Sequence, residues 1–534
     1  MILMAGLAFT GSGKSMKSFF AAGGNLPWWL SGTSLFMSFF SAGTFVVWGS
    51  IAYELGWVAV TMQWTMALGG FCIGYFIAPR WRQTGALTVG EFIGQRFGMQ
   101  LKQFYSLLFL LLSFFTTGAF LYPVAKLFNV SSGFSVEASI LIIGALIIAY
   151  TAAGGLWAVV ITDVLQFVIL SAGLIIILPL SFQQINGIGN FVDLAPAGFF
   201  QLTNGEYTWW FLLAFFFFNT IYIGGNWAYV QRYTSVASPK SARKVGMLFG
   251  GLYLLSPLLW MLPPMIYRAL EGGNLEGLEN EGAFLLMCKR VLPSGLLGLM
   301  LGGMIFATAS SVTTTLNMSA AVFTNDIVKK VNKSISDKRL MQIARISTVI
   351  LGLLTIGVAL MVPYLGGIVE VVLSIGAITG APLFAPAIWA LFSKRQTAQS
   401  IIASTLLGLG INSFFKFISP VMLDFSLNRA QEMLVGVSVP LLILGVFELL
   451  LPLKTTSTPV RSEQLDQMET QAVSQNQFAF RVMGITLTIT GIIVIGLGLL
   501  ATSAKFLVIA TGLLVVIPGA VLIFKSVGVD KHTN

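Results

Sequence analysis

The fold of this chain is decided by one short stretch, FMSFFSAGTFVVWG, which runs from Phe36 to Gly49. The stretch lies in a run that is apolar enough to cross a membrane, yet its middle, Ser41 to Thr44, is small, polar and weakly helical. A backbone group that lacks a hydrogen-bond partner at bilayer depth costs several kcal/mol. The sequence therefore predicts a membrane helix that breaks for a functional reason.

The predicted break gives the stretch a chemical use. If the helix ends around Ser38, the carbonyl groups of Met37 and Phe40 lose the N–H donors four residues later. Carbonyl oxygens that are freed in this way bind sodium in transporters with unwound helices. The break is thus a candidate half of a cation site.

The composition is that of an all-α polytopic membrane protein. The chain has 534 residues, of which 56% are hydrophobic and 9% are charged, and its mean hydropathy is +0.86. The lipid bilayer is therefore its principal partner. The net charge of +10 comes from cations in short loops between apolar segments, which predicts cytoplasmic loops rather than nucleic-acid binding.

Few residues are suited to enzyme chemistry. The single histidine is His532, and the two cysteines, Cys72 and Cys288, lie in or near apolar segments. We therefore expect no disulfide framework, no Cys/His metal site and no histidine base. The stretch AFTGSGKS, Ala8 to Ser15, matches a relaxed phosphate-binding loop but leaves no room for an α/β domain. The chain is predicted not to be an enzyme.

Apolar segments of spanning length recur along the chain and predict fourteen membrane spans. The segments are 27–53, 57–79, 103–128, 136–153, 157–181, 208–228, 246–270, 295–325, 341–363, 368–392, 398–418, 433–452, 482–501 and 506–525. Residues 1–26 read as a shortened first helix and a cytoplasmic loop, and the polar stretch 453–480 reads as a cytoplasmic linker. Two further spans lie in 398–452, and two peripheral C-terminal spans lie in 482–525.

A second polar patch lies at ATASSVTTTLN, Ala307 to Asn317. At helical spacing, Ala307, Ser310, Ser311 and Thr314 share one stripe of the predicted helix. Isolated hydroxyls in membrane helices usually bond to their own preceding turn, and that reading stays open here. A cluster of hydroxyls combined with freed carbonyls instead favours a small dehydrated cation.

A third polar element is AAGGLWAVVITDVLQ, residues 152–166, which places Asp163 inside an apolar span. A carboxylate within a membrane indicates a functional site, unless it reaches the cytoplasmic surface. We expect its partner to be a cation beside Thr313 and Thr314.

Three stretches together resemble the sodium:solute symporter family, which includes glucose, galactose, proline and sialic acid symporters. They are KSFFAAGGNLPWWLSGTSLFMSFFSAGTF, AAGGLWAVVITDVLQ and FATASSVTTTLNMSAAVFTNDI. The resemblance covers residues 14 to about 450 and implies the LeuT-type fold, with two inverted five-helix repeats in 27–181 and 208–392. It also implies sodium as the coupling ion.

The resemblance assigns ligands to the sodium sites residue by residue. The shared site of the family corresponds to the carbonyls of Met37, Phe40 and Ala307 and the hydroxyls of Ser310 and Ser311. A second sodium site, found in some members, corresponds to Asp163, Ser310, Thr313 and Thr314. The number of sodium ions, one or two, stays open.

The resemblance also assigns a solute site and two gates. The positions that match the solute site are Ser41, Thr44, Gln63, Asn219 and Ser374, and the gate positions are Tyr222 and Trp48. Gln63 stands where the galactose transporter has a glutamate, and Tyr253 stands near the position of a lysine. The third span lacks the arginine of the sialic acid transporters, which favours a neutral solute such as a sugar or polyol.

These observations predict a multi-pass symporter of the inner or plasma membrane that imports a small polar organic solute with sodium by alternating access. No obligate protein partner is evident from the sequence. Two alternatives remain open at this point: a sodium-coupled transporter of a carboxylated solute such as sialic acid or an amino acid, and a non-coupled channel or facilitator.

Overall fold

The helix that contains Phe36 breaks where the sequence predicts. The computed structural model describes residues 24–86, 88–272, 275, 277–329, 335–365, 368–453, 472–500 and 505–528. Helix α1 spans Trp28–Met37, and a non-helical turn follows it. The chain then resumes as a π-helical turn, Thr44–Trp48, which leads into α2, Gly49–Leu55.

Helices make up nearly all of the remaining described chain. In the first half they are α3 (Trp57–Gln83), α4 (Val89–Phe97), α5 (Met99–Ser132), α6 (Val136–Gln184), α7 (Ile188–Leu194), α8 (Trp209–Gly225), α9 (Trp227–Thr234) and α10 (Pro239–Glu271). In the second half they are α11 (Ala283–Val291), α12 (Ser294–Val322), α13 (Asp337–Met361), α14 (Ile368–Phe392), α15 (Ala398–Met422), α16 (Arg429–Leu450), α17 (Ala472–Leu500) and α18 (Lys505–Gly528).

The helices account for all fourteen predicted spans. Within the described residues, 10 helices are long and apolar enough to cross a membrane, and α8 and α9 form one further bent pair. The other three predicted spans correspond to the broken helix α1–α2 and to two shorter apolar stretches, Val136–Ala149 and Gly376–Phe392. The membrane class inferred from composition is confirmed.

Two predicted boundaries differ from the structure. The spans 136–153 and 157–181 form one continuous helix, α6, of 49 residues, despite the weak helix propensity of Gly154 and Gly155. Helix α17 begins at Ala472, inside the predicted linker 453–480. The remainder of that linker that precedes Ala472, most of the predicted first segment 1–26, and AFTGSGKS lie outside the described residues.

The second predicted repeat also opens with a broken helix. Helices α8 and α9 meet at an angle of 63°, and Asn226 between them accepts a hydrogen bond from the Ala228 N–H at 3.0 Å through its side chain. The side chain therefore caps the start of α9. A break in the first helix of each repeat is the arrangement that binds ligands at the midplane of this class of transporter fold.

Glycine lets α3 and α10 cross in direct backbone contact. A Cβ atom added at Gly246 would lie 2.5 Å from the Cα atom of Gly74 and 2.6 Å from its nitrogen. Small residues at such crossings allow the close approach that stabilises helix pairs in lipid. This crossing holds α3 beside the break.

We therefore predict that Gly246→Ala destabilises the protein by about 1–3 kcal/mol, because the added methyl group forces the two backbones apart. Gly251→Ala on the same helix is the matched control, since a Cβ there meets nothing within 4 Å. Thermal unfolding of the detergent-purified protein measures both variants. Equal melting temperatures for the two variants would contradict the packing argument.

Candidate functional site

The backbone of the break is satisfied by irregular hydrogen bonds. The Ser41 N–H donates to the Phe39 carbonyl and to Thr44 Oγ1, both at 3.1 Å, and the Thr44 N–H donates to the Ser41 carbonyl at 2.9 Å. These two N–H groups are the α-helical donors that Met37 and Phe40 would otherwise use. The carbonyls of Met37 and Phe40 therefore lack their α-helical donors, as the sequence predicts.

Helix α12 holds the break in place through two hydrogen bonds. The Ala42 N–H donates to Thr308 Oγ1 at 2.8 Å, and Ser311 Oγ donates to the Ser38 carbonyl at 3.0 Å. Both contacts are buried and join segments more than 260 residues apart. We call this pair of contacts the junction. It brings the hydroxyl-rich helix against the unwound turn.

The predicted sodium ligands lie at or beside the junction. The described members of the set are buried, with 0% exposure for Met37 and Ala307, 1% for Phe40 and 2% for Ser311. The backbone of Ser310 is part of α12, whereas its side chain lies outside the described residues. The sodium site itself stays a prediction, but both chain segments that it needs are in contact.

The predicted second site holds an arginine of the chain itself. Asp163 is 0% exposed, accepts a hydrogen bond from Ser34 Oγ and lies 3.9 Å from Arg232 Nη2. The same guanidinium donates to Thr314 Oγ1 at 3.1 Å and to Ser34 Oγ at 2.9 Å. The positive charge beside Asp163 and Thr314 is therefore the guanidinium group of Arg232.

Arg232 is buried within the helical core, whereas the sequence predicts that the cations of the chain lie in short loops between apolar segments. It lies in α9 and its side chain is 0% exposed. Its neighbour Gln231 also bonds it, at 3.2 Å. Thr313, the other predicted ligand, instead bonds Thr151 at 3.0 Å. The sequence feature that could have indicated a buried arginine is a single Arg only seven residues after Gly225, where α8 ends.

A cavity of about 150 Å³ opens next to the break. It receives five of the predicted solute and gate residues, which are Ser41, Thr44, Asn219, Tyr222 and Trp48. Sequence reasoning did not predict that further aromatic rings line this cavity, although it placed Tyr253 near a ligand position of a relative. The additional rings are Phe39, Phe115, Phe120, Phe215, Phe218 and Tyr253.

Of the two remaining predicted solute residues, Gln63 is not among the described residues that line the cavity. Gln63 is 1% exposed, and its Nε2 has no hydrogen-bond partner among the described residues. The side chain of Ser374 lies outside the described residues, although Gly376, one half-turn later, lines the cavity. The roles of Gln63 and Ser374 stay predictions.

A second set of contacts links α5 to α9 and to the π-helical turn Phe323–Val328, which follows α12. Asp326 pairs with Lys102 at 2.6 Å and accepts from Ser106 at 2.8 Å. Trp227 stacks on Phe109 with ring centroids 4.9 Å apart. These contacts fix α5 against both elements.

Comparison with known proteins agrees with this architecture. The family model described as the sodium:solute symporter family matches residues 19–408. The sodium/glucose cotransporter of Vibrio parahaemolyticus is 28% identical over 78% of this chain and 82% of its own length. The sodium/sialic acid symporter NanT of Aliivibrio fischeri (strain ATCC 700601 / ES114) is 26% identical over 75% of this chain and 82% of its own length.

A solved structure confirms the fold class. The substrate-bound outward-open structure of a Na+-coupled sialic acid symporter superimposes with a TM-score of 0.75 at 23% identity. The match covers 85% of this chain and 96% of that one. The predicted LeuT-type architecture is therefore confirmed.

The buried ion pair yields a testable prediction. Arg232→Met leaves the Asp163 carboxylate without this cation in a low-dielectric interior, and loss of one partner of a buried pair costs about 3–5 kcal/mol. We expect the double variant Asp163→Asn with Arg232→Met to unfold at a higher temperature than Arg232→Met alone, because it buries no unpaired charge. Arg243→Met, at an exposed position of α10, is the control. A double variant as unstable as the summed single variants would refute the pairing.

Proposed function

This chain belongs to the sodium:solute symporter family, and we propose that it couples the entry of sodium to the uptake of a small uncharged organic solute by alternating access. It is a multi-pass membrane protein and not an enzyme, and sodium is its coupling ion. The observation that carries the proposal is the junction, where Ser311 Oγ reaches the Ser38 carbonyl across the helix break.

We place the sodium ion at the junction. The carbonyls of Met37, Phe40 and Ala307 would supply three neutral oxygens, and the hydroxyls of Ser310 and Ser311 would supply two more. Five or six oxygen ligands are typical of a small hard cation that has lost its hydration shell. Sodium would replace the direct Ser311–Ser38 bond with a bridge through the ion.

Such a bridge explains how the ion and the solute are coupled. Ser41 and Thr44 lie in the same turn as the junction and line the cavity. An ion that fixes the turn against α12 therefore also fixes one wall of the cavity, so that each ligand raises the affinity for the other. One positive charge that moves inward across 100 mV contributes about 2.3 kcal/mol to uptake.

The lining favours an uncharged solute over a carboxylated one. Among the described residues, no Lys, Arg, Asp or Glu lines the cavity, and a buried charge without a partner is costly. Sugars and polyols are among the neutral candidates, as one relative is a sodium/glucose cotransporter. A carboxylated solute is the rival candidate, because another relative is a sodium/sialic acid symporter.

We propose a second sodium ion only for a state in which the Arg232 side chain has moved away from Asp163. That ion would bind beside Asp163, Ser310, Thr313 and Thr314. In the geometry described above, the guanidinium lies between Asp163 and Thr314. We therefore propose one sodium ion at the junction as the coupling ion of this state.

We predict that solute uptake into proteoliposomes is driven by an inward sodium gradient and not by an equal potassium gradient. Ser311→Ala should raise the sodium concentration for half-maximal uptake about tenfold, which is the effect of losing one good ligand worth about 1.4 kcal/mol. Equal uptake in sodium and potassium would identify a facilitator and refute the symporter proposal.

The matched control is Thr315→Val on the next turn of α12. The Thr315 hydroxyl bonds only to the Ser311 carbonyl of its own helix, at 3.3 Å, among the described contacts. We expect it to leave the half-maximal sodium concentration unchanged. An unchanged value for Ser311→Ala as well would remove Ser311 from the site.

A further inference from the structure

Eight of the twenty described residues that line the cavity carry aromatic rings. Phe215, Phe218 and Tyr222 follow one face of α8, with centroids 5.8 Å and 5.5 Å apart and interplanar angles of 4° and 16°. Phe115 and Phe120 lie on α5, which also lines the cavity. Aromatic walls bind flat rings through stacking and edge-to-face contacts.

Most polar groups of the lining are already bonded to the protein. Thr44 Oγ1 donates to the Phe39 carbonyl at 2.6 Å, and Thr116 Oγ1 bonds two carbonyls of its own helix at 3.2 Å. The Tyr222 hydroxyl bonds Tyr229 and Asn226. These groups have little remaining capacity to replace the water around a solute.

Four polar groups of the lining keep their hydrogen-bonding capacity. No hydrogen bond within the described residues involves Ser41 Oγ, Trp48 Nε1, Asn219 Oδ1 or the Tyr253 hydroxyl, whereas Asn219 Nδ2 donates to Thr65 Oγ1 at 2.9 Å. Ser41 and Tyr253 can donate and accept, Trp48 can donate, and Asn219 Oδ1 can accept. The cavity thus offers a few polar contacts within an otherwise apolar enclosure.

The size and the charge of the cavity further restrict the class of solute that it can bind. A cavity of about 150 Å³ is the size that accepts a single benzene-sized ring. Asp163 and Arg232, the buried charged groups beside the junction, are 0% exposed and lie 3.9 Å apart. Aromatic rings also bind quaternary ammonium ions, but a second cation would repel the coupling sodium with no carboxylate among the described lining residues to offset it.

We propose that the solute is an uncharged, planar one-ring compound of heteroaromatic or lactam type, with its ring between the aromatic walls and one polar edge at Ser41 and Asn219. This inference rests on the proposed function and names its substrate class. A hexose is a poorer fit, because hydroxyls surround its ring and each one left unpaired on burial lowers affinity by about tenfold.

Four probes of similar size test the chemistry with the purified full-length protein. They are nicotinamide, an uncharged heteroaromatic amide; nicotinate, its carboxylate; D-glucose; and choline. Melting temperature is measured with each probe at equal concentration, in sodium and in potassium. A ligand that binds only the folded state raises the melting temperature. We expect nicotinamide to give the largest rise, and only in sodium.

The outcomes separate this inference from the proposed function. A larger sodium-dependent rise with nicotinate, D-glucose or choline overturns the substrate class and leaves the symporter proposal intact. The absence of any rise with nicotinamide also overturns the substrate class. If every rise is equal in sodium and potassium, the coupling in the proposed function fails instead.

A matched pair of variants tests the aromatic wall. Phe215→Leu removes a lining ring that is 2% exposed, and Phe217→Leu removes a ring on the outer side of the same helix that is 42% exposed. We expect Phe215→Leu to weaken nicotinamide binding about fivefold to tenfold and Phe217→Leu to leave it unchanged. Sodium alone should still raise the melting temperature of both variants, which shows that both variants fold. Equal nicotinamide affinity in the two variants would refute the claim that the aromatic wall binds the solute.

Discussion

The structure depends on the contact between an unwound turn and the helix that satisfies it. Residues 38–41 cannot continue α1, and their backbone groups would be costly to expose to lipid. The hydroxyls of Thr308 and Ser311 on α12 supply partners at 2.8 Å and 3.0 Å, and Thr44 supplies another from within the turn. The helix can break here because the hydroxyls of Thr44, Thr308 and Ser311 replace the missing backbone hydrogen bonds.

This arrangement makes one segment serve two ligands. The Ser38 carbonyl of the turn accepts a hydrogen bond from Ser311 of α12, and Ser41 on the same turn lines the aromatic cavity. The buried Asp163–Arg232 pair lies beside it and joins α1, α6, α9 and α12 through Ser34 and Thr314. A displacement of α9 would therefore disturb a charge network as well as packing, and buried charges tolerate few alternative positions.

The local chemistry of the break and of the hydroxyl-rich helix could be predicted from sequence because both are properties of contiguous residues. The buried position of Arg232 could not be predicted, because its partner Asp163 lies 69 residues away. The positive-inside rule also assigns each cation near a span to a loop. The aromatic walls of the cavity were not predicted, because four consecutive phenylalanines of α8, residues 215–218, show no preferred face by hydrophobicity alone. The signal that could have placed Phe215 in the cavity is Asn219, four residues later on the same helix face, whereas Phe217 is 42% exposed.

The central claim is that sodium joins the unwound turn to α12. Hydrogen–deuterium exchange of the purified protein tests it directly, with peptides covering residues 36–46 and 304–316 followed in sodium and in potassium. If the ion bridges the junction, both peptides exchange more slowly in sodium, by a similar factor, and Ser311→Ala removes the protection from both. Exchange that is the same in sodium and potassium at either peptide would contradict the account.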